Sequence, residues 1–290
     1  MRTPIEPTLV IESSEKQYGS NLIQKCNNIQ TDISSFDDSS MLIDPSFNIA
    51  GNYTNYITSV LTSILSIKKN FASELASLKT NQNKQLIRVT SENKKILLLD
   101  LDETLLHADF QNHFSEHDAV ITFTSNSIQY SVGIMVRPGA FDFLNILSEQ
   151  FEIYAFTASS SPYAEAVVNF FDPEGKIFKR IFTRNKCLNL FNRIYIKDLS
   201  TIFDIDDIGR VVLVDNSFYS FMNNISNGVL INSFYGDKSD LELYSVMNYL
   251  IGFVSKAEDV REVNEQFFNF KSIMQELKGS DINEKANMGI

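Results

Sequence analysis

The sequence predicts an α/β domain with a central parallel sheet, and three short apolar runs are the basis of this prediction. The runs cover residues 96–99, 151–156 and 211–214 and consist almost entirely of aliphatic and aromatic side chains. Such runs are typical of strands that are buried on both faces, as in parallel sheets. Segments with helical spacing lie between the runs, which is the alternation expected of a parallel α/β sheet.

Polar residues follow each apolar run directly. Asp100 and Asp102 follow the first run, Thr157 follows the second, and Asp215 and Asn216 follow the third. The carboxyl ends of parallel strands meet at one edge of the sheet, where ligands bind in open α/β folds. Ionised carboxylates at such an edge are costly unless a cation holds them, and an all-oxygen ligand set favours Mg²⁺.

Four of the polar side chains suit phosphoryl chemistry. A carboxylate beside Mg²⁺ can attack a phosphoryl group, while a second carboxylate protonates the leaving oxygen and later deprotonates water. Asp100 and Asp102 have a suitable spacing for these roles. Thr157 stands before a helix start, where phosphate binds readily, and Lys197 lies in an otherwise apolar run and can neutralise a phosphate. The structural alternatives are an acidic turn at the strand end and simple N-capping by the threonine.

Composition limits the class of protein. The chain has 290 residues and a formal net charge of −11, which disfavours a general nucleic-acid binder because such a protein needs a basic face. Its two cysteines, Cys26 and Cys187, form no disulfide framework, which favours a reducing compartment. We expect no signal peptide and no transmembrane helix, and an intracellular location in the nucleus or cytoplasm.

The segments outside the main domain differ in character. Residues 1–52 are polar and aperiodic, and we predict that they are largely disordered. Apolar residues at helical spacing over 53–80 predict an amphipathic helix, followed by a linker to residue 93. This helix could pack on the main domain or on its own copy, or it could dock a partner or a membrane surface. We place the main domain at 94–278 and a polar tail at 279–290.

Within the main domain, strand-like runs at 119–123 and 128–132 predict a β-hairpin inserted after the first strand. Pro138 suits the first turn of a helix over 140–149, with Phe141, Leu144 and Leu147 facing inward. The remaining predicted elements are a helix over 162–171, a fourth strand over 229–231, and closing helices over 240–254 and 258–277.

Four motifs, in this order, resemble those of the haloacid-dehalogenase-type (HAD) phosphatases: DLDETL, FTAS, YIKDLS and VDNS. The resemblance is closer to the branch of RNA polymerase II C-terminal-domain phosphatases and nuclear-envelope phosphatases, the NLI-interacting-factor-like domain. VRPG and SFYGDKSDLEL also match, so the similarity covers roughly residues 92–272. It implies a Rossmann-like HAD fold with a parallel central sheet, a β-hairpin inserted after the first motif, and no large cap domain.

The resemblance also implies an activity. It implies a Mg²⁺-dependent protein serine/threonine phosphatase that works through an aspartyl-phosphate. The substrate would be a phosphoserine or phosphothreonine peptide, in the C-terminal domain of RNA polymerase II or in another phosphoprotein. By position, Asp100 would be the nucleophile and Asp102 the general acid/base, while Thr157 and Lys197 would hold the phosphoryl group.

The same resemblance implies ligand-binding residues. Asp100, the Asp102 carbonyl and Asn216 would bind Mg²⁺, with Asp215 in support. The residues implied to bind substrate are Arg184, Thr104 and Phe110, the last of which would form an apolar pocket with the hairpin.

The chain departs from the family pattern at a few positions. Phe218 replaces a frequent proline and Phe234 a usual tryptophan, and the hairpin sequence differs most. Two other functions stay open: a non-catalytic binding or adaptor module, which the intact motif residues disfavour, and a small-molecule phosphatase, which the short insert disfavours. The expected partners are a phosphoprotein substrate, with no direct nucleic-acid binding, and a protein partner or second copy bound through residues 53–80.

Overall fold

A five-stranded parallel sheet forms the centre of the molecule. The computed structural model describes residues 51–80, 86–89, 91, 94–111 and 116–288. The disorder predicted for residues 1–52 lies outside these ranges except at residues 51 and 52, where it is wrong because they begin a helix. The strands are β1 (Lys95–Leu99), β5 (Phe151–Phe156), β6 (Phe178–Phe182), β9 (Val211–Asp215) and β10 (Gly228–Leu230). Their order in the sheet is β10-β9-β1-β5-β6, which confirms the predicted parallel α/β sheet.

The apolar run of β1 is explained by burial on both faces of the sheet. Leu97 and Leu99 enter one apolar cluster, whereas Ile96 and Leu98 enter the cluster on the opposite face. All four are fully buried, because successive side chains of a strand alternate between its faces. Leu99 is in register with residue 155 on one side and residue 214 on the other, so the residues that follow these strands meet at one edge.

Helices cover both faces of the sheet. The helices of the main domain are α3 (Ala140–Gln150), α4 (Ser161–Phe171), α5 (Glu242–Gly252), α6 (Val260–Phe268) and α7 (Phe270–Met288). The inward residues of α3 are Phe143, Leu144 and Leu147. The prediction of an inward Phe141 is wrong, because this residue is 45% exposed and packs beside Phe171.

The inserted segment is a small antiparallel sheet. It consists of β2 (Leu106–Asp109), β3 (Ala119–Ser125) and β4 (Ile128–Val136) in the order β2-β4-β3. β3 and β4 are the predicted hairpin, and Asn126 and Ser127 join them with φ values of 50° and 62°, as in tight hairpin turns. A second hairpin, formed by β7 (Leu188–Leu190) and β8 (Ile194–Ile196), leads to the predicted phosphate-binding lysine.

Two N-terminal helices complete the described chain. The single helix predicted over 53–80 is divided at residue 71 into α1 (Gly51–Asn70) and α2 (Ala72–Thr80). Ile57, Leu61 and Ile64 are buried in the same cluster as residues of α7 and the sheet. The apolar stripe of α1 therefore packs on the main domain, one of the alternatives left open, while the face turned outward is polar.

The ends of the main domain also depart from expectation. In the predicted linker, Ile87 forms a bridge with Phe203, so the described part of that segment pairs with the domain. α7 continues to Met288, through most of the segment expected to be a polar tail. Within the described ranges, none of the helices is long and apolar enough to cross a membrane.

Candidate active site

The carboxyl edge of the sheet gathers the polar residues that the sequence predicted there. Asp100 follows β1, Thr157 follows β5, Asp215 ends β9, and Lys197 follows β8. All four are buried, with exposures of 6% or less. Neighbouring parallel strands lie about 4.8 Å apart, so side chains from three adjacent strands can converge on one small group.

Lys197 joins the two strand-end aspartates. Its Nζ lies 2.6 Å from Oδ1 of Asp100 and 2.5 Å from Oδ2 of Asp215. Its backbone N–H donates to the carbonyl of Ser220 at 2.7 Å, which fixes where the side chain enters the site. A buried ammonium between two carboxylates is stable only because both ion pairs offset its lost hydration.

The cluster contains more carboxyl groups than ammonium groups, and this imbalance shifts the pKa values of its members. Burial raises the pKa of Asp100 to about 8; Lys197 opposes the increase, and the nearby carboxylates of Asp215 and Asp102 add to it. Burial alone would lower the pKa of Lys197, but Asp100 and Asp215 raise it above the usual value, so the ammonium stays charged. With one ammonium for these carboxylates, an additional cation would favour the ionised form of Asp100.

Thr104 supports Asp100 instead of facing substrate. It is fully buried, and its Oγ1 donates to Oδ2 of Asp100 at 3.2 Å. The substrate-binding role expected for Thr104 is therefore corrected, because a buried hydroxyl committed to this carboxylate cannot reach a peptide. The backbone of Glu103 turns through a φ of 56°, which returns the chain so that residue 104 points back at residue 100.

Asp102 is held by two hydroxyl donors that the sequence analysis did not assign. Ser159 Oγ donates to Oδ2 of Asp102 at 2.6 Å, and the phenolic oxygen of Tyr163 donates to Oδ1. Burial and, after it, the Asp102 carboxylate raise the pKa of Tyr163, so the phenol remains a donor. The sequence signal that could have identified these two residues is their position: Ser159 lies in the loop after β5, and Tyr163 lies in the first turn of α4.

Thr157, the residue predicted to bind phosphate, is buried in the loop after β5. Its Oγ1 accepts a hydrogen bond from the Ser159 N–H at 3.0 Å, which leaves the hydroxyl proton available for an anion. The N-cap of α4 is Ser160, so the structural alternative, in which Thr157 caps that helix, does not hold.

The predicted metal ligands have oxygen-rich surroundings. The amide nitrogen of Asn216 donates to Ser233 Oγ at 2.9 Å, which fixes the amide orientation. Oδ1 of Asp215 accepts from the Ser217 N–H at 2.8 Å and its Oδ2 binds Lys197, so this carboxylate mainly anchors the lysine. The described residues contain no metal-binding group of three or more His, Cys, Asp or Glu side chains. A set of one carboxylate, one carbonyl and one amide fits Mg²⁺, which keeps several waters.

The other two residues predicted to bind substrate, Phe110 and Arg184, lie at the exposed rim of the active site. Phe110 is 60% exposed, and its ring centroid is 5.4 Å from that of Tyr163. Phe123 of the inserted sheet approaches the same tyrosine at 5.5 Å, so an apolar surface adjoins Asp102. Arg184 is exposed, and its Nε donates to the carbonyl of Ala158 at 2.6 Å, which places its guanidinium beside the Thr157 loop.

Two further contacts stabilise the loops that bear catalytic candidates. Arg137, which is fully buried, binds Asp240 through two hydrogen bonds of 2.8 Å and donates to the Thr104 carbonyl at 3.1 Å. On the opposite side, Lys79 of α2 lies 2.7 Å from Oδ2 of Asp198, the residue after the buried lysine. The sheet edge is thus supported both from the VRPG segment and from the N-terminal helices.

An α/β domain with this strand order, this inserted sheet and these residues at the strand ends is a haloacid-dehalogenase-type domain of the C-terminal-domain phosphatase class. The family model described as "NLI interacting factor-like phosphatase" matches residues 95–261. The chain belongs to this family.

Curated relatives show the same kinship. "CTD small phosphatase-like protein 2" of Dictyostelium discoideum is 36% identical over 186 residues, which are 64% of this chain and 32% of the relative. "Carboxy-terminal domain RNA polymerase II polypeptide A small phosphatase 1" of Homo sapiens is 32% identical over 180 residues, 62% of this chain and 66% of the relative. The chain thus spans 32% of the length of one of these proteins and 66% of the other, less than two thirds in both cases. A structure of Fcp1, an essential RNA polymerase II CTD phosphatase, aligns with a TM-score of 0.40 and 20% identity over 77% of this chain and 70% of that one.

Proposed function

We propose that this protein is a Mg²⁺-dependent protein serine/threonine phosphatase that acts through an aspartyl-phosphate on Asp100. The observation that carries the proposal is the geometry around the two motif aspartates. Asp100 is held between Thr104 and Lys197, and Asp102 between Ser159 and Tyr163. Two carboxylates with separate supports suit two separate roles, one as nucleophile and one as proton carrier.

In the first step, an oxygen of Asp100 attacks phosphorus, and the bond from phosphorus to the serine or threonine oxygen breaks. Asp102 gives its proton to that departing oxygen. The Thr157 hydroxyl and the Lys197 ammonium stabilise the negative charge on the phosphoryl oxygens.

In the second step, Asp102 takes a proton from a water molecule, and the resulting hydroxide attacks the phosphorus of the aspartyl-phosphate. Phosphate leaves and Asp100 is regenerated. Bound Mg²⁺, held by Asp100, the Asp102 carbonyl and Asn216, would supply charge neutralisation at the phosphoryl group.

We propose a phosphoprotein as substrate because the site is open at the side of the inserted sheet. Phe110 is 60% exposed and lies beside Tyr163, so an apolar residue near the phosphorylated one could pack there. The proposed substrate is the C-terminal domain of RNA polymerase II or another intracellular phosphoprotein of the nucleus or cytoplasm. This open rim disfavours a small-molecule phosphatase, whose site is expected to enclose its substrate.

The decisive experiment compares wild type with Asp100→Asn and, as a control, Asp142→Asn, which changes an exposed aspartate of α3. Hydrolysis of p-nitrophenyl phosphate and of a phosphoserine peptide would be measured with Mg²⁺ and then with EDTA. We expect Asp100→Asn to lose at least about 10³-fold in kcat because no nucleophile remains. The control should match wild type, and EDTA should abolish turnover.

Near-wild-type turnover by a folded Asp100→Asn protein would refute the nucleophile assignment. Turnover that persists in EDTA would refute the metal dependence. A wild-type protein that is folded, as shown by its Tm, but inactive on both substrates would favour the alternative of a non-catalytic binding module.

A further inference from the structure

A polar groove runs beside the active site along β6, the edge strand of the sheet. Its volume is about 420 Å³. Its lining residues come from the start of α4, from β6, and from the turn that follows β6: Ser161, Glu165, residues 180–183, Asn185 and Lys186. The residues proposed to carry out the chemistry are absent from this lining, so the groove is a separate surface.

Hydrogen bonds connect the groove directly to the phosphate-binding loop. The Thr157 N–H donates to the carbonyl of Phe182 at 2.9 Å, and the Arg184 N–H donates to the carbonyl of Ser159 at 3.0 Å. Neighbouring strands are about 4.8 Å apart and an extended peptide advances about 3.3 Å per residue. Arg180 lies two residues before Phe182 along β6, which adds about 6.6 Å to the distance between the strands. A peptide whose phosphorylated residue lies at Thr157 would therefore reach the groove lining within about two to four residues.

The lining of the groove contains two cationic side chains, Arg180 and Lys186, against one carboxylate. Neither Arg180 nor Lys186 forms an ion pair with any carboxylate among the described residues. Nearby, by contrast, Lys176 pairs with Glu174. Glu165 is the one carboxylate in the lining. In a chain of net charge −11, which repels acidic ligands in general, a local cationic groove favours an anion at this place.

The polar side chains of the groove are already ordered. Ser161 Oγ and Thr183 Oγ1 lie 2.9 Å apart, and Thr183 Oγ1 donates to Oδ1 of Asn185 at 3.1 Å. These contacts orient the Asn185 amide by its oxygen and leave its nitrogen as a donor for a ligand. A pre-ordered polar floor with two cations at its edge suits a carboxylate or a phosphate.

We propose that this groove binds a second anionic side chain of the substrate peptide, a carboxylate or phosphate about two to four residues from the reacting phosphoserine or phosphothreonine. The inference rests on the proposed function and adds a substrate preference to it. The protein would then act best on acidic or multiply phosphorylated segments.

The test uses the full chain and a set of phosphoserine peptides. One peptide has neutral neighbours; the others carry glutamate or a second phosphoserine two, three or four residues away, on either side. The groove variant is Arg180→Ala with Lys186→Ala. The matched control, Lys176→Ala with Lys179→Ala, removes the same charge from the same segment outside the groove lining. Kd is measured with non-hydrolysable phosphonate versions of the peptides, and kcat/KM with the phosphopeptides.

For wild type and control we expect at least one acidic position to improve both Kd and kcat/KM by about tenfold, as two partly exposed charge contacts allow. In the groove variant, the acidic and neutral peptides should differ by no more than about twofold in Kd and kcat/KM. Hydrolysis of p-nitrophenyl phosphate should be unchanged. Equal preference in both double variants, or no preference in wild type at any position, would overturn the inference. Absence of turnover would count against the proposed function instead, since phosphonate binding tests the groove without catalysis.

Discussion

Replacing Tyr163 by phenylalanine tests whether Asp102 is the proton donor to the leaving group. The substitution removes only the hydroxyl that donates to Oδ1 of Asp102. The ring stays between Phe110 and Phe123, whose centroids lie 5.4 and 5.5 Å away, so the apolar surface at the rim is kept. Asp102 then retains one of its two hydroxyl donors, Ser159 at 2.6 Å.

The size of the effect follows from the lost contact. A hydrogen bond to a charged group contributes about 1.5–3 kcal/mol. Because about 1.4 kcal/mol corresponds to a tenfold change in rate, misalignment of Asp102 should slow proton donation by about 10- to 150-fold. The variant should remain folded, since Tyr163 loses an oxygen and no apolar packing.

The assay compares two leaving groups through kcat/KM, which reports the steps up to formation of the aspartyl-phosphate. A serine oxygen needs a proton as it departs, whereas nitrophenolate departs as an anion. Tyr163→Phe should therefore lose about 10- to 150-fold on a phosphoserine peptide and less than about threefold on p-nitrophenyl phosphate. Tyr130→Phe is the control, because Tyr130 stacks on Phe123 at 5.3 Å in the inserted sheet. Equal losses on both substrates, or none on the peptide, would refute the reasoning.

Three further variants test the buried lysine, the Arg137 contacts and a buried carboxyl group of α5. Lys197→Ala leaves two buried carboxylates without their ammonium, so we expect a loss of about 3–5 kcal/mol in the free energy of unfolding and at least about 100-fold in kcat, measured by urea titration and peptide hydrolysis; unchanged kcat would refute its role. Arg137→Lys cannot keep both hydrogen bonds to Asp240, so we expect Tm and kcat to fall together. A fall in Tm alone would show that the Arg137 contacts do not position the loop that contains Thr104. Burial raises the pKa of Glu242 from 4.5 to about 7, so its contribution to stability is present below about pH 4.5 and is lost as the pH rises through 7. In urea titrations, the free energy of unfolding of wild type should decline by about 3 kcal/mol between pH 5 and pH 8 because of Glu242. Glu242→Gln should remove this decline and the control Glu149→Gln should keep it. An unchanged decline in Glu242→Gln would show that Glu242 does not cause it.

The sequence predicted the parts of the site whose signal is local. Asp100, Thr157 and Asp215 each follow an apolar run, so a short window contains both the buried strand and the residue at its end. Lys197 was predicted in the same way, as a single charge in an apolar segment. Parallel pairing then accounts for their proximity, because it aligns all three strand ends.

The parts that sequence reasoning missed depend on long-range contacts or on side-chain direction. Tyr163 and Asp102 are 61 residues apart, and Arg137 and Asp240 are 103 apart, so no local sequence pattern pairs them. The role given to Thr104 was wrong because the turn at the preceding residue, which points the hydroxyl inward, leaves no mark in the sequence.

Secondary structure was missed for similar physical reasons. The strand β6 was not predicted. It is an edge strand whose exposed positions carry Lys179 and Arg180, so it lacks the continuous apolar pattern of the central strands. The two N-terminal helices were predicted as a single helix because the helical spacing of apolar residues continues across Phe71. The backbone hydrogen bonds that join Phe71 to Ile67 and Leu75 are also helical.

The packing of α1 against α7 determines when the chain can finish folding during its synthesis. Ile57 and Leu61 share an apolar cluster with Phe270 and Met274, roughly 210 residues later, and closing so long a loop carries an entropic cost. α1 leaves the ribosome first, and its apolar side stays exposed to solvent and to chaperones until α7 follows. A fragment limited to residues 95–261, the span of the family match, lacks both helices and exposes that side of its sheet. Preparations of the protein should therefore begin before α1 and extend through α7.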